Sequence, residues 1–365
     1  MSFGAYAEPS LVLAILTAGV VLNRRRQSDN DSGAWSPLSA SSIEPLLPTG
    51  DATHRDRTVF GYTVRSKNTA IWRHTRVSRA LRRFPFLVEV WYWLLVYWTY
   101  QLARAFTAVT LQDNTLAVSR EHALQLIRLE QRLAVFVEPA VQAFILARPA
   151  LLAALNRIYS FIHIPGTITF LAWLYAAAPQ ALFEARRRTL AVANLFAFVV
   201  FTLWPCMPPR LLPASDGFAF VDTVHAGEVA SVWTTNRFCN QLAAMPSLHF
   251  GYSFVIGLTV ATLPSHSHSR LLTLAKWALG MSYPALILLA IVATANHYVL
   301  DAAAGFVVAC IAWNVNGVLK SLLVVEDALF YVLRVHKPRG ADEDAGGKLF
   351  SPVLEMSEEA GWRRA

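Results

Sequence analysis

Two stretches, AMPSLHFG at residues 244–251 and ATANHYVLD at residues 293–301, determine how this chain is interpreted. Each stands at the entrance to a long apolar segment. Together they place His249, His297 and Asp301 at the boundaries of these segments. An ionisable group at a membrane boundary is energetically costly and therefore indicates a functional site. The three side chains are candidates for one site, provided that they lie on the same side of the membrane.

The composition is that of a polytopic membrane protein. Of 365 residues, 55% are hydrophobic and 15% are charged, as expected when lipid-facing surface must be apolar. The formal net charge of +8 is compatible with nucleic-acid binding. The basic residues, however, cluster in short runs between apolar segments, which is typical of cytoplasmic loops. We therefore expect a membrane bilayer and no nucleic acid among the partners.

The chain divides into three predicted parts. Residues 1–85 contain a short apolar run, residues 9–22, whose ability to span a membrane stays open. A basic region follows, in which residues 27–58 lack apolar periodicity and are expected to be disordered. Residues 86–325 form the transmembrane domain, and residues 326–365 form a polar cytoplasmic tail.

The predicted fold class is all-α: a six-helix transmembrane bundle, with one extra N-terminal span left open. The segments that we interpret as the six spans are residues 87–106, 158–178, 189–205, 248–264, 275–295 and 300–323. Between the first two spans, residues 120–156 carry apolar side chains at helical spacing, with charges on another face. We expect an interfacial amphipathic helix there, broken at Pro139 and Pro149.

The distribution of Lys and Arg predicts the orientation of the spans. The region before the first span is strongly basic and is therefore expected on the cytoplasmic side. Six spans then bring the loop 206–247 and the turn around Asn296 to the external or lumenal face. PPRLLP (208–213), PSLH (246–249) and HYVLD (297–301) consequently share one side of the membrane, which a different number of spans would not allow.

The two histidine motifs have the chemistry of an acid–base pair. His297 and Asp301 are four residues apart, so on a helix the carboxylate can orient one ring nitrogen and raise the basicity of the other. His297 is expected in the first helical turn, where free N–H groups favour an anion. Pro246 suits the first position of the preceding helix, Ser247 can donate to an anion, and His249 is expected to face the same cavity.

Arg210, within PPRLLP, supplies a planar and permanently charged fork that matches phosphate oxygens. Together these residues suit phosphoryl transfer. One histidine attacks phosphorus, and the other protonates the departing oxygen and then activates the acceptor hydroxyl. No acidic cluster that would hold magnesium is near these motifs, so no metal and no other cofactor is expected.

Other interpretations stay open from the residues alone. A buried His–Asp pair can simply lock two helices together, and such relays also occur in proton-coupled transporters, so a transporter or scaffold is an alternative. His249, His297 and Asp301 could also bind a catalytic zinc ion. Cys206 and Cys239 fall in one predicted external loop, where a disulfide and two free thiols are equally compatible with the sequence.

The chain resembles the membrane branch of the type 2 phosphatidic acid phosphatase (PAP2) superfamily, and within it the inositol phosphorylceramide synthase-like group. The resemblance covers roughly residues 86–320. The motifs that carry it occur in the order WPCMPPRLLP, GFAFVDT, AMPSLHFGYS and ATANHYVLDAAAG. It implies a six-helix membrane bundle in which His297 is the nucleophile that forms a phosphohistidine, held by Asp301. It also implies that His249 is the acid and base, and that Ser247 and Arg210 bind phosphate.

Two departures favour a particular branch. Leu248 stands where the phosphatase members have the glycine of PSGH, and Ile291 stands where they have an arginine six residues before the nucleophile. The loss of one phosphate clamp is similar to the phosphosphingolipid-synthase branch. The resemblance therefore implies an enzyme that transfers an inositol-phosphate-like head group from a phospholipid to a lipid such as ceramide. The alternative is a lipid phosphate phosphatase that hydrolyses its substrate with water.

The same resemblance implies phospholipid and sphingolipid substrates and a multi-pass protein of the Golgi or endoplasmic reticulum. Its active site would face the lumen. The oligomeric state does not follow from the sequence.

Overall fold

The computed structural model describes residues 4–24, 53–110, 115–224, 241–264 and 269–337. In this part of the chain the helices are α1 (Gly4–Leu22), α2 (Arg76–Arg83), α3 (Phe86–Thr110), α4 (Thr115–Arg132), α5 (Glu138–Leu146), α6 (Pro149–Phe161), α7 (Thr167–Ala177), α8 (Gln180–Leu203), α9 (Leu248–Thr262), α10 (Arg270–Ala293), α11 (Val299–Val315) and α12 (Leu323–Val332). Two strands, β1 (His54–Val59) and β2 (Tyr62–Lys67), pair antiparallel. The predicted all-α character therefore holds for all of the described chain except this hairpin.

The chain forms two compact units. The first unit comprises Met1–Ile15, Leu95–Leu174 and Ala185–Asn316, and it contains all of the candidate site residues. The second unit comprises Leu16–Leu94, Tyr175–Glu184 and Gly317–Ala365.

The hairpin of the second unit is held by one carboxylate. Asp327 of α12 accepts hydrogen bonds from Arg55 and Arg57 of β1 and from Ser66 of β2. The carboxylate is almost completely buried, which makes these charge-assisted bonds stronger than they would be in water. Strand β1 begins at His54, so the end of the segment that we expected to be disordered is ordered. The rest of that segment lies outside the described residues.

The segment expected to be a broken amphipathic helix contains three helices. Helix α4 ends at Arg132, α5 starts at Glu138 with Pro139 in its first turn, and α6 starts at Pro149. Proline at the start of a helix loses no hydrogen bond, since the first N–H groups have no partner within the helix. Both prolines thus lie in the first turn of a helix, and the chain bends by 120° between α5 and α6.

A helix lies at each of the six predicted spans, but few of these helices meet the requirements for crossing a bilayer. Within the described residues, only Arg270–Ala293 and the helical stretch Val299–Val332 are long and apolar enough. The bent pair α5 and α6 counts as a third if it forms one broken span. The helices support membrane association, and the six-span topology stays a prediction. The apolar stretch Pro9–Leu22 of α1 is shorter than a full span, so its role stays open.

Glycine contacts bring α9 close to both of its neighbours in the first unit. Gly257 of α9 faces Gly280 of α10, and a Cβ on either would collide with the carbonyl oxygen of the other. A Cβ on Gly305 of α11 would collide with the carbonyl oxygen of Ser247, directly before α9. Small residues at helix interfaces allow this close backbone approach, which is common between membrane helices. The Gly305 contact also fixes the residue that starts α9.

We predict that Gly305→Ala lowers the free energy of unfolding by about 1–3 kcal/mol, because the added methyl group separates α9 from α11. The measurement is the apparent melting temperature of the purified protein in detergent. Gly317→Ala is the matched control, since a Cβ at Gly317 meets nothing within 4 Å. Equal melting temperatures for the two variants would show that the close approach is not required.

Candidate active site

The motifs singled out in the sequence meet at one end of the first unit. The loop after α8 pairs with the segment before α9, where the amide of Cys206 donates to Leu242 O and the amide of Ala244 donates to Cys206 O. The amide of Arg210 donates to the carbonyl of Ala295, in the turn that precedes His297 (2.9 Å). Backbone hydrogen bonds thus join three segments that are far apart in sequence.

His297 has a defined tautomer. Its Nδ1 lies 2.7 Å from the carbonyl oxygen of Ala244, and the ring is almost fully buried. A carbonyl oxygen only accepts, so Nδ1 carries the proton and donates it. The neutral ring then has its lone pair on Nε2. Asp301 is farther away, with Oδ2 3.5 Å from Nδ1.

The prediction that His297 and Asp301 lie on one face of the same helix is wrong in detail. Helix α11 starts at Val299 with Tyr298 as its N-cap, so His297 precedes the helix rather than lying in its first turn. Asp301 occupies the third helical position, and its Oδ2 accepts from the amide of Tyr298 (2.9 Å). Because Asp301 caps the helix, its carboxylate points back toward the imidazole of His297. The two side chains are therefore close, as predicted, but for a different reason.

His249 lies beside His297. The two ring centroids are 5.6 Å apart, with the planes inclined at 58°. On its other side, His249 stacks on Tyr159 of α6, with centroids 4.5 Å apart. The stacking orients the ring of a residue in the first turn of α9 toward the second histidine.

Ser247 and Pro246 take different positions from those expected. Ser247 is the N-cap of α9, and its Oγ accepts from the amide of Phe250 (3.4 Å), so Pro246 lies before the helix and not at its first position. The hydroxyl of Ser247 retains its own proton for donation. Ile291 is fully buried in an apolar cluster with Ile287 and Ala302, where burial of an arginine side chain would be costly.

Arg210 is held by three polar side chains. Its Nε donates to Asn296 Oδ1 (2.9 Å), Nη1 to Asp222 Oδ2 (3.1 Å) and Nη2 to Gln241 Oε1 (2.5 Å). The amide of Asn296 in turn donates to Thr294 Oγ1 (2.8 Å), which fixes its orientation. Because each terminal nitrogen has two protons, one N–H on each remains for a ligand. Asp222 offsets part of the positive charge that this ligand would meet.

The N-terminus of α11 is already occupied, contrary to our expectation of free amides. The amide of Val299 donates to Glu138 Oε1 (2.8 Å), and the amide of Leu300 donates to Glu130 Oε1 (2.7 Å). Both glutamates are fully buried and come from α5 and α4. Acceptors for the first amides of a helix stabilise its N-terminus, so these residues fix the start of α11. They also leave its first amides unavailable to a substrate anion.

The carboxylate cluster holds a proton. Burial, together with the neighbouring Glu138 and Asp301, raises the pKa of Glu130 to about 9. Oε2 of Glu130 and Oε2 of Glu138 are buried and receive no other donor from the described residues. A proton on Glu130 shared with Glu138 supplies that donor. Glu130 is therefore neutral at pH 7.

The structure bears on two alternatives from the sequence, a zinc site and a disulfide. Within the described residues, no group of three or more His, Cys, Asp or Glu side chains is arranged to hold a metal ion, and His249, His297 and Asp301 are no exception. Cys206 is a buried free thiol. Cys239 itself lies outside the described residues.

Sequence reasoning missed the residues that hold the site residues in place. They are the carbonyl of Ala244 and the side chains of Glu130, Glu138, Tyr159, Asp222, Gln241 and Asn296. Asp222 and Asn296 lie within motifs that were quoted for the resemblance, so their positions offered a signal. The two glutamates resemble the solvated charges of an amphipathic helix, and only tertiary packing buries them.

We predict that Glu130→Gln reduces the pH dependence of stability. A folded-state pKa above the unfolded value means that the unfolded chain releases a proton that the folded protein keeps. Unfolding of the wild type therefore becomes easier as the pH rises from about 5 to about 9. Glutamine keeps the acceptor for Leu300 and donates to Glu138, but it does not titrate. Melting temperatures between about pH 6 and 9 should fall less in the variant.

The matched control is Glu121→Gln on the same helix, where the side chain is exposed beside Arg128. This variant makes the same chemical change at an exposed carboxylate and should keep the slope of the wild type. Parallel curves for the wild type and Glu130→Gln would contradict a proton held at Glu130.

Comparisons with known proteins bear on this arrangement. No curated protein and no solved structure matches the chain. The family model described as the PAP2 superfamily matches residues 124–315, which is more than half of the chain. The matched range starts within α4 and ends with α11, and it includes both histidines, Arg210 and the two glutamates. The chain belongs to the PAP2 superfamily.

Proposed function

We propose that this protein transfers a phosphorylated head group from a phospholipid to the hydroxyl of a second lipid such as ceramide. Membership of the PAP2 superfamily supports a lipid enzyme of the phosphatase or phosphotransferase type. The observation that carries the proposal is the pair His297 and His249, with one ring held by Ala244 and the other ring 5.6 Å away.

His297 is the proposed nucleophile. The hydrogen bond from Nδ1 to Ala244 O leaves the lone pair on Nε2, and Asp301 Oδ2 at 3.5 Å stabilises the positive charge that develops on the ring. Attack by Nε2 on phosphorus forms a P–N bond and breaks the bond to the diacylglycerol oxygen. The head-group phosphate then stays on His297.

His249 is the proposed proton carrier. As an imidazolium it gives a proton to the departing diacylglycerol oxygen, and as a neutral base it then takes the proton of the acceptor hydroxyl. The acceptor oxygen attacks phosphorus, the P–N bond breaks, and His297 returns to its starting form. The stack on Tyr159 holds His249 in place through both steps.

The charge around the site supports a phosphodiester donor over a dianionic monoester. Arg210 shares its charge with Asp222, and the first amides of α11 are taken by Glu130 and Glu138. Ile291 replaces a further cation with a buried apolar side chain. A donor with a single negative charge needs less compensation than one with two. We further propose that the site faces the lumen of the Golgi or endoplasmic reticulum, where both lipids are reached from the bilayer.

The decisive measurement uses phosphatidylinositol labelled in its head group, with ceramide as acceptor. The wild type should produce a new labelled lipid, and His297→Ala should lower the rate by about 10³-fold or more. His249→Ala should lower it about 10²- to 10⁴-fold. With a good leaving group, His249→Ala should still retain label on the denatured protein, because leaving-group protonation is then not needed.

The control for these variants is His336→Ala, which removes a histidine of the second unit that contacts Thr69. Near-normal activity in His297→Ala would exclude the mechanism. Release of free phosphate or inositol phosphate without a new lipid would replace transfer by hydrolysis to water while leaving the histidine roles intact.

We predict that Arg210→Lys lowers kcat/KM about 100-fold. A lysine ammonium cannot contact Asn296, Asp222 and Gln241 together while presenting two parallel N–H groups to phosphate. The same lipid-product assay measures the effect. Arg79→Lys, an exposed position of α2, is the control. Unchanged kcat/KM in Arg210→Lys would remove this arginine from substrate binding.

A further inference from the structure

Arg186 of α8 is a buried arginine outside the site described above. Only 4% of its surface is exposed, and its guanidinium lies over the ring of Trp313 of α11, 3.4 Å from the ring centroid. Burial of a guanidinium is costly unless hydrogen bonds and an opposite charge compensate it. Stacking on an indole compensates only part of that cost.

No anionic partner for Arg186 exists within the described residues. Its Nε is buried and has no hydrogen-bond acceptor, and neither a hydrogen bond nor an ion pair of its terminal nitrogens occurs in this part of the chain. The terminal nitrogens are not among the completely buried atoms without a partner, so the outer edge of the guanidinium keeps the small exposure that Arg186 has. Arg187 and Arg188 follow directly and add positive charge.

This location is remote from the histidines within the first unit. From Arg186, helix α8 continues to Leu203, after which the chain enters the site at Cys206. At about 1.5 Å per residue, Arg186 is roughly 25 Å from that end of the helix. Trp313 is likewise about 20 Å along α11 from Val299. These lengths approach the thickness of the hydrocarbon core, so the arginine belongs to the opposite end of the helices.

We propose that Arg186, stacked on Trp313, binds a phosphate-bearing anion at the end of the helices opposite the two histidines. The planar fork presents parallel N–H groups that match two phosphate oxygens, and the indole holds the plane of the fork. The class of ligand is a phosphate mono- or diester, supplied either by the head group of a membrane phospholipid or by a soluble phosphate. This site is separate from the catalytic chemistry and does not depend on the proposed function.

The experiment measures the apparent melting temperature of the full-length protein in detergent after lipid removal. Dioleoyl phosphatidylglycerol and inorganic phosphate are added separately to the wild type, to Arg186→Met and to Arg270→Met. Arg270, at the exposed start of α10, controls for the loss of one positive charge. Trp313→Phe is a second variant that keeps an aromatic face and tests the stacking.

Binding to the folded state should raise the melting temperature of the wild type by about 5 °C at saturating ligand. Arg270→Met should keep this shift, Trp313→Phe should lose part of it, and Arg186→Met should lose all of it. Without ligand, Arg186→Met should be at least as stable as the wild type, because an uncompensated buried charge has been removed. A shift with phosphatidylglycerol alone identifies a lipid head group, and an equal shift with inorganic phosphate identifies a soluble anion.

Two results would overturn the proposal. The first is a ligand-induced shift in Arg186→Met equal to that of the wild type. The second is the absence of any shift in the wild type, together with a lower ligand-free melting temperature for Arg186→Met, since the arginine would then serve packing alone.

Discussion

The hydrogen bond from His297 Nδ1 to the carbonyl oxygen of Ala244 is the interaction on which the site depends. It joins two motifs from different parts of the chain and sets the tautomer of the buried ring. The amide of Ala244 also donates to Cys206 O, which helps to hold the carbonyl in that position. One backbone ladder therefore aligns the loop that carries Arg210 with the ring that provides Nε2.

The start of α11 is likewise held by polar groups with fixed positions. Glu130, Glu138 and Asp301 accept from the amides of three successive residues at the start of this helix. Such preorganised groups do not have to reorganise during a reaction. Among the described residues, the cationic capacity of the site therefore resides mainly in Arg210. This concentration of charge in one residue agrees with a singly charged phosphodiester better than with a monoester dianion.

Much of the site could be predicted from sequence, whereas its supporting residues could not. The order of the motifs pointed to His249, His297, Asp301 and Arg210. Each motif places a residue of specific chemistry at a fixed distance from its neighbours in sequence. The helix boundary was misjudged for His297, since a polar residue before an apolar run fits both the N-cap and the first turn. The burial of Glu130 was not predicted, because helical periodicity separates charged from apolar faces but does not show what packs on the charged face.

The sequence by itself determined the apolar helices, the breaks at Pro139 and Pro149, and the residues proposed for phosphoryl transfer. These features follow from local rules: side-chain spacing, the missing N–H of proline and the chemistry of individual side chains. The tertiary structure alone decided which atom orients His297, which amides remain available, and that Arg186 is buried against Trp313. These features depend on contacts between distant segments, and burial changes the energy of a charge far more than any local pattern does.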